Sequence, residues 1–542
     1  NDTSGTVNLT VANGFTNAGT IGLGGDGSGF GASLTVSDGT LTNAVGAVIR
    51  STTNPGAAGQ RTITAAITNL GTIEAQENLT IVNTSRTLAS GGGILTAADG
   101  KALTVLSGTV QIGAASLPGE GNLALTGTVV LSLTEAVTLD VSTLTLDFSS
   151  GDVVVQGPGA LTVGSAAILK LSSDVIATAL VNQFYVVVQG NSTISGPLTL
   201  SSTGILSIEG NEIFGSATLT VTNSFTNSGS LDLTGSAGFG ANLVLTTGTL
   251  TNAGLLRSTV ISGVAGARNI NAAITNTGTI EALANVTIIN TGRTLASGGG
   301  ILTAVDGKAL TVLSGTVQIG AASLPGEGNL ALTGTVVLSL TEAVTLDVST
   351  LTLDFSSGDV VVQGPGALTV GSAAILKLSS DVIATALVNQ FYVVVQGNST
   401  ISGPLTLSST GILSIEGNEI FGSATLTVTN SFTNSGSLDL TGSAGFGANL
   451  VLTTGTLTNA GLLRSTVISG TAGPRAINAT LVNSGTIDFA GPSVSTLQIN
   501  GSLTQMSTGK IVHEVGGLVL GGSASLLVVS GLAALDGTLT LK

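Results

Sequence analysis

The sequence predicts an all-β chain folded as a parallel, right-handed β-solenoid, a stack of coils of about 20–26 residues each. Three observations carry this prediction: short alternating apolar and polar runs, an Asn motif that returns at coil spacing, and a long tandem repeat. Residues 99–263 reappear without change at residues 306–470, so each position has a counterpart 207 residues later. Repetition on two scales is typical of solenoids, in which each unit packs only on its neighbours.

Short alternating runs fill most of the chain, as in ATLTVTN at 217–223 and TLTLDF at 143–148. Alternation with period two places one face of a strand in the core and the other in solvent. The chain is rich in Thr, Val, Leu, Ile and Gly, and poor in the Glu, Lys, Arg and Gln that cover helix surfaces. Turns that contain Gly, Asn and Ser separate the runs. We therefore expect strands along the whole chain.

An Asn marks the predicted corners of the coils, within a T-N-x motif at every corner except the last, where Val482 precedes it. Within each set of three motifs the spacing is 24 to 26 residues, the length of one coil with two or three short strands. Asn suits a sharp corner for two reasons: it tolerates a positive φ, and stacked Asn side chains can hydrogen-bond from coil to coil as a ladder. We predict this structural role for Asn17, Asn43, Asn69, Asn227, Asn252, Asn276, Asn434, Asn459 and Asn483.

The long repeat divides the chain into four segments. Residues 1–86 form a partial repeat, residues 87–293 the first full copy, and residues 294–492 the second copy with the start of a third. Residues 493–542 leave the repeat and contain the only His and the only Met. Because the end of a solenoid must protect an open sheet, we interpret this last segment as atypical coils or a cap.

Composition excludes several classes of function. Charged residues make up 8% of the chain and the net charge is −15, so no basic surface is available for nucleic acid or anionic lipid. The chain contains no Cys and a single His, which excludes disulfides, thiolate metal sites and a nucleophile–histidine relay. Gly, Thr, Ser or Asn interrupts every apolar run, so no membrane-spanning helix is expected.

Two tyrosines are the best candidates for ligand contact. Tyr185 and Tyr392 lie in identical NQFYVVVQG segments, and aromatic faces suit the stacking of sugars. Packing against the sheet is the alternative that we favour for both.

Among the residues of this chain, a group of aspartates is the best candidate for a catalytic group. Asp140, Asp147 and Asp152 cluster in one repeat, with the copies Asp347, Asp354 and Asp359 in the other. Glycoside hydrolysis needs two carboxylates at a defined separation, but here no His lies nearby and few cations could hold an acidic sugar. We expect a solvated face, no catalytic residue and no cofactor. We leave open an isolated Ca²⁺ site at an acidic corner, because the chain contains many oxygen ligands.

The last residues resemble the closing strands of bacterial exoproteins. LQINGSLTQMSTGKIVHEVGG and LLVVSGLAALDGTLTLK are similar to the ends of haemagglutinin-like and autotransporter-passenger β-helix proteins of Gram-negative bacteria. The resemblance implies a β-helix fold, export and a place at the cell surface. The positions that carry it are Leu497, Gly501, Gln505, Gly509, Val529, Gly531, Ala533, Leu535, Gly537 and Thr538.

These observations together predict an extracellular structural or adhesive rod of a bacterial cell surface. Tandem repeats would give it length, rigidity and multivalent contact. Its expected partners are further copies of itself or extracellular polysaccharide. Two alternatives stay open: a self-assembling filament or sheath subunit, and a β-helical enzyme that acts on polysaccharide.

Overall fold

The computed structural model describes residues 5–57, 59–264, 266–443, 445–468, 473–489, 496–513 and 525–542, with the backbone alone at 25–28 and 53–57. Two compact units divide the chain, Asn1–Ala273 and Ile274–Lys542. Both are built in the same way, and the chain forms a parallel β-solenoid of about 21 turns with coils of about 24 residues. The predicted fold class is thereby confirmed, while the handedness and the four sequence segments stay predictions.

The first 28 strands lie between Val7 and Ser258. They are β1 (Val7–Val11), β2 (Phe15–Asn17), β3 (Thr20–Ser28), β4 (Ala32–Asn43), β5 (Val48–Ala57), β6 (Arg61–Asn69), β7 (Thr72–Ala75), β8 (Leu79–Val82), β9 (Thr87–Ser90), β10 (Ile94–Ala97), β11 (Ala102–Ile112), β12 (Asn122–Leu133), β13 (Val137–Leu139), β14 (Thr145–Asp147), β15 (Gly151–Gln156), β16 (Leu161–Val163), β17 (Ile168–Leu171), β18 (Val175–Ile176), β19 (Leu180–Asn182), β20 (Tyr185–Val188), β21 (Asn191–Ile194), β22 (Leu198–Leu200), β23 (Ile205–Gly210), β24 (Ala217–Val221), β25 (Phe225–Asn227), β26 (Ser230–Gly235), β27 (Ala241–Asn252) and β28 (Leu255–Ser258).

The next 23 strands, β29 to β51, have the bounds of β6 to β28 shifted by 207 positions, from Arg268–Asn276 to Leu462–Ser465. The structural repeat therefore begins earlier than the stretch of identical sequence. The remaining strands are β52 (Arg475–Asn483), β53 (Thr486–Asp488), β54 (Thr496–Ile499), β55 (Leu503–Gln505), β56 (Lys510–His513), β57 (Leu526–Val529), β58 (Ala533–Ala534) and β59 (Thr538–Leu541).

Three strands make up one turn through most of the repeat, so each strand pairs in parallel with the strand three places later. Strands β14, β17, β20, β23 and β26 form one face in this way, which we call face B. Its register joins Asp147, Lys170, Val187, Ser207 and Asp232 in one row across five turns. The long strand β12 bends across a corner and pairs with both β14 and β15.

Aliphatic side chains stack in columns inside the turns. Leu169, Val186, Leu206 and Leu231 follow one another in register beneath face B, and each is fully buried. Burying one such side chain contributes roughly 1.5–3 kcal/mol. A slip of one residue would turn every side chain of a strand to the opposite face, so the columns depend on a fixed register between turns.

Buried arginines stand at the start of β6, β29 and β52 and bond to main-chain carbonyls of the segments that precede these strands. The guanidinium of Arg268, at the start of β29, donates from Nη1 to Gly266 O at 2.5 Å and from Nη2 to Thr259 O at 2.6 Å. Burial lowers the pKa of Arg268. Arg61 and Arg475 donate in the same way to Gly59 and Thr52, and to Gly473 and Thr466. Each arginine thus closes a loop whose ends would otherwise leave main-chain carbonyls unsatisfied.

The described part of residues 493–542 consists of further coils. Leu497 pairs with Leu527 and Ile511 pairs with Leu539, so β54 to β59 continue the parallel stack. His513 stacks on Phe489 with ring centroids 4.6 Å apart.

Candidate functional site

The nine predicted corner asparagines all lie at the last residue of a strand, with their side chains inside the solenoid. Each is at most 8% exposed. Among the described residues, the non-glycine positions with positive φ are Ser85, Ser107, Ala166, Ala237, Ser314 and Ala373, and none of them is a corner asparagine. Of the two reasons given for Asn at a corner, backbone strain therefore does not apply.

Amide groups of successive turns bond to one another along the stack. Asn17 Nδ2 donates to Asn43 Oδ1 at 2.8 Å, and Asn43 Nδ2 donates to Asn69 Oδ1 at 2.8 Å. Ser90 ends this run by accepting a hydrogen bond from Asn69 at 2.8 Å. The other runs are Asn227 to Asn252, Asn276 to Ser297, and Asn434 through Asn459 and Asn483 to Gln505, with distances of 2.6 to 2.8 Å.

The same amides also bind the main chain of the following turn. Asn43 Nδ2 donates to Thr72 O at 3.1 Å, and Asn227 Nδ2 donates to Leu255 O at 2.9 Å. Asn83 and Asn182 make comparable bonds to Thr109 O and Ile205 O, although they lie outside any T-N-x motif. These side chains hold turns together and present no atoms to a ligand.

Replacing Asn43 by Ala removes one rung of the ladder. The change leaves the buried Asn69 Oδ1 without its donor and also removes the acceptor of Asn17. Because each buried polar group that loses its partner costs about 1–3 kcal/mol, we expect the local opening free energy to fall by roughly 2–4 kcal/mol. Hydrogen exchange of the amides between residues 43 and 75 measures this loss.

The matched control for that change is Asn223→Ala. Asn223 is exposed, and its side chain donates only to Ser195 O and Thr222 Oγ1. We expect this variant to change the opening free energy by less than about 0.5 kcal/mol. Equal effects of the two variants would contradict a structural role for the ladder.

The two candidate tyrosines are bound to carboxylates on face B and on its copy. The Tyr185 hydroxyl donates to Glu209 Oε1 at 2.9 Å, and Ser207 and Gln189 donate to the same carboxylate. Partial burial and the nearby Glu209 raise the pKa of Tyr185 to about 12. Tyr392 makes the equivalent bond to Glu416. The ligand contact predicted for both tyrosines stays a prediction.

The candidate carboxylates are divided between a cleft and its surroundings. Asp140 Oδ1 accepts hydrogen bonds from Ser142 Oγ at 2.6 Å and from Ser142 N at 2.8 Å, which hold the pKa of Asp140 below its ordinary value. Asp147 Oδ1 accepts one from Ser149 N at 3.0 Å. Asp140 and Asp147 line the same cleft, whereas Asp152 does not line it.

The cleft lies on face B and has a volume of about 630 Å³. Its polar groups include Glu120, Asn122, Asp147, Lys170 and Gln189. Val141, Ile168, Ile213 and Phe214 add apolar surface. Phe214 belongs to a turn that projects between β23 and β24 and is closed by mutual main-chain hydrogen bonds of Asn211 and Gly215.

A second cleft of about 600 Å³ lies in the other unit, with equivalent residues at positions 207 higher, from Glu327 to Phe421. Phe421 also borders a smaller neighbouring hollow that contains Asp359. The chain therefore carries the same arrangement of side chains twice. Sequence analysis missed the cleft as a whole, since no single motif contains its lining residues.

A buried carboxylate lies outside the cleft. Asp174 lies between β17 and β18 and does not line the cleft. It is 1% exposed, and its two oxygens accept hydrogen bonds from Val153 N at 2.9 Å and Ser172 N at 2.7 Å. Burial outweighs these bonds and raises the pKa of Asp174 to about 6, with a smaller contribution from Asp152. The copy, Asp381, is shifted in the same direction to about 6.

The raised pKa of Asp174 and Asp381 predicts a decrease in stability between about pH 4 and pH 6. In this window the folded carboxyl keeps its proton while the unfolded one loses it, so unfolding releases a proton and becomes more favourable as pH rises. A shift of about 2 pKa units corresponds to up to roughly 3 kcal/mol for each copy. Denaturant unfolding at several pH values tests this, and it should be compared with an Asp174→Asn, Asp381→Asn double variant that lacks the titrating groups. An equal slope in both proteins would contradict the prediction.

Comparison with known proteins gives no relative from which a role could be transferred. No protein-family model, curated protein or solved structure matches the chain. In the described ranges, no three His, Cys, Asp or Glu side chains are grouped so as to hold a metal ion. Those ranges also contain no helix long and apolar enough to cross a membrane.

Proposed function

We propose that the chain is an extracellular structural and adhesive rod of a bacterial surface, in which each repeat presents one binding cleft. The observation that carries this proposal is the recurrence of one cleft with the same lining residues 207 positions apart. A stack of turns bonded internally by amides supplies a stiff support for both. The resemblance of residues 497–538 to surface exoproteins supports the proposed location.

Duplication of a cleft favours attachment to a repetitive surface. When two sites on one chain engage the same surface, the second binding event is intramolecular, and avidity can exceed the single-site affinity by roughly 10²–10⁴. For an enzyme, the same duplication would only double the concentration of active sites. Low charge, with surface Thr and Asn, suits contact with uncharged polymers.

Hydrolysis of polysaccharide is the less favoured alternative. An acid catalyst needs a raised pKa so that it holds a proton at neutral pH. Asp140 is shifted the opposite way by Ser142, and Asp147 already accepts a hydrogen bond from the main chain of its own turn. We therefore favour binding without chemistry.

Two measurements on the intact chain test this function. Negative-stain electron microscopy over a series of protein concentrations should show separate elongated particles whose length does not change. Filaments that lengthen with concentration would contradict a separate rod and favour the self-assembling subunit. Compact particles would contradict both, since neither an elongated rod nor a filament would be present.

Adhesion is measured with latex beads that carry the intact chain. We expect these beads to stay on a bacterial biofilm matrix under flow, while beads coated with serum albumin are washed away. Retention should rise more steeply than linearly with the density of the chain on the bead, because each chain engages by two sites. Equal loss of both kinds of bead would overturn the adhesive role.

A further inference from the structure

We infer that each cleft binds a linear, uncharged glycan that lies along the stacking direction of the turns. This inference rests on the proposed function and names the class of ligand that its repeated site would take. It is argued from the length of the cleft, its mixed lining, its charge and the state of the backbone beneath it.

The cleft takes its lining residues from five successive turns of the solenoid, with strands β12, β14 and β17 beneath it and the segments after β20 and β23 at its side. Its lining includes Asn122 from β12, Asp147 from β14, Lys170 from β17, Gln189 just after β20 and Phe214 just after β23. Neighbouring strands lie about 4.8 Å apart, so these turns span about 19 Å. An elongated cleft of this kind suits a short stretch of a linear polymer better than a compact small molecule.

The lining contains polar groups that suit the hydroxyl groups of a sugar and apolar groups that suit its C–H face. The amides of Asn122 and Gln189 and the carboxylates of Asp140 and Asp147 can bond to hydroxyl groups. The aliphatic side chain of Ile168 and the ring of Phe214 offer surface to the C–H side of a pyranose. Val141 is 70% exposed and Ile213 is 85% exposed, so the apolar groups continue outside the cleft.

The charge of the cleft argues against an anionic polymer. Glu120, Asp140 and Asp147 face a single cation, Lys170, in a chain whose net charge is −15. A uronic acid, sulfate or phosphate would meet repulsion from both the cleft and the whole protein.

The backbone beneath the cleft argues against an extended peptide. Strands β12, β14 and β17, which supply lining residues of the cleft, are each paired on both sides in the solenoid. A peptide that adds to a sheet needs the free N–H and C=O groups of an edge strand. The floor of the cleft is instead the side-chain surface of a complete face, which suits a ligand that hydrogen-bonds through hydroxyls.

Isothermal titration of the intact chain with cellohexaose, maltohexaose and chitohexaose tests the inference. We expect at least one of them to bind at two equivalent sites per chain, and hexagalacturonate to bind at none. Phe214→Ala should reduce the number of sites from two to one with the remaining affinity unchanged. The double variant Phe214→Ala, Phe421→Ala should bind roughly tenfold more weakly or not at all.

The matched control is Val45→Ala, which alters an apolar residue that is 82% exposed and lies outside the cleft. We expect two sites of unchanged affinity, and circular dichroism and thermal unfolding should show all variants folded. The inference is overturned if none of the three neutral hexasaccharides binds, if the double variant binds as tightly as the unaltered chain, or if hexagalacturonate or hexalysine binds in their place.

Failure of the glycan assignment can be told from failure of the adhesive function. Beads that carry the double variant should no longer stay on the biofilm matrix if the clefts are the adhesive sites. Retention of these beads would leave the adhesive rod standing and overturn the assignment of the clefts. Loss of retention by beads with the unaltered chain would overturn the adhesive rod itself.

Discussion

Buried amide groups must find partners inside the solenoid, and at the corners the neighbouring turns supply partners for them. Asn43 shows the constraint: it accepts from Asn17 and donates to Asn69 and to the carbonyl of Thr72. A turn out of register would leave several of these polar atoms buried and unsatisfied. The aliphatic columns bury most of the apolar surface, but apolar side chains tolerate many ways of packing. The amide hydrogen bonds form in only one register between turns, so they select that register.

A rigid interior leaves the outer surface free to carry function. The cleft takes its polar groups from exposed or half-buried side chains such as Asp147 and Lys170, and part of its apolar surface from one projecting turn that contains Phe214. Such residues can change without disturbing the columns beneath them. The division explains how one chain can keep a monotonous core and still present a defined site, and why that site recurs wherever the repeat recurs.

Periodic features of the sequence were sufficient to predict the fold, because coil corners repeat the same residue at nearly constant spacing. The ladder was one of two explanations offered for Asn69 and its equivalents, and only coordinates could separate it from a positive φ. Asn83 and Asn182 escaped notice because they lie outside both the T-N-x motif and the spacing of 24 to 26 residues that joins the members of each set. The cleft was not predictable, since its lining comes from five turns and depends on how a projecting turn folds back. An Ile-Phe pair within the NEIFG turn was the one local signal of it.

The identical bonding of equivalent corners bears on how such a chain can evolve. Asn69 and Asn276 each donate to a serine 21 residues later, Ser90 and Ser297. Unequal recombination between the two copies would delete or add a whole 207-residue repeat. The turns brought together would then be a pair that the protein already contains, with every amide matched. Changes of length by whole repeats therefore need no compensating mutation, and a lineage can adjust the number of its turns and of its clefts in single genetic steps.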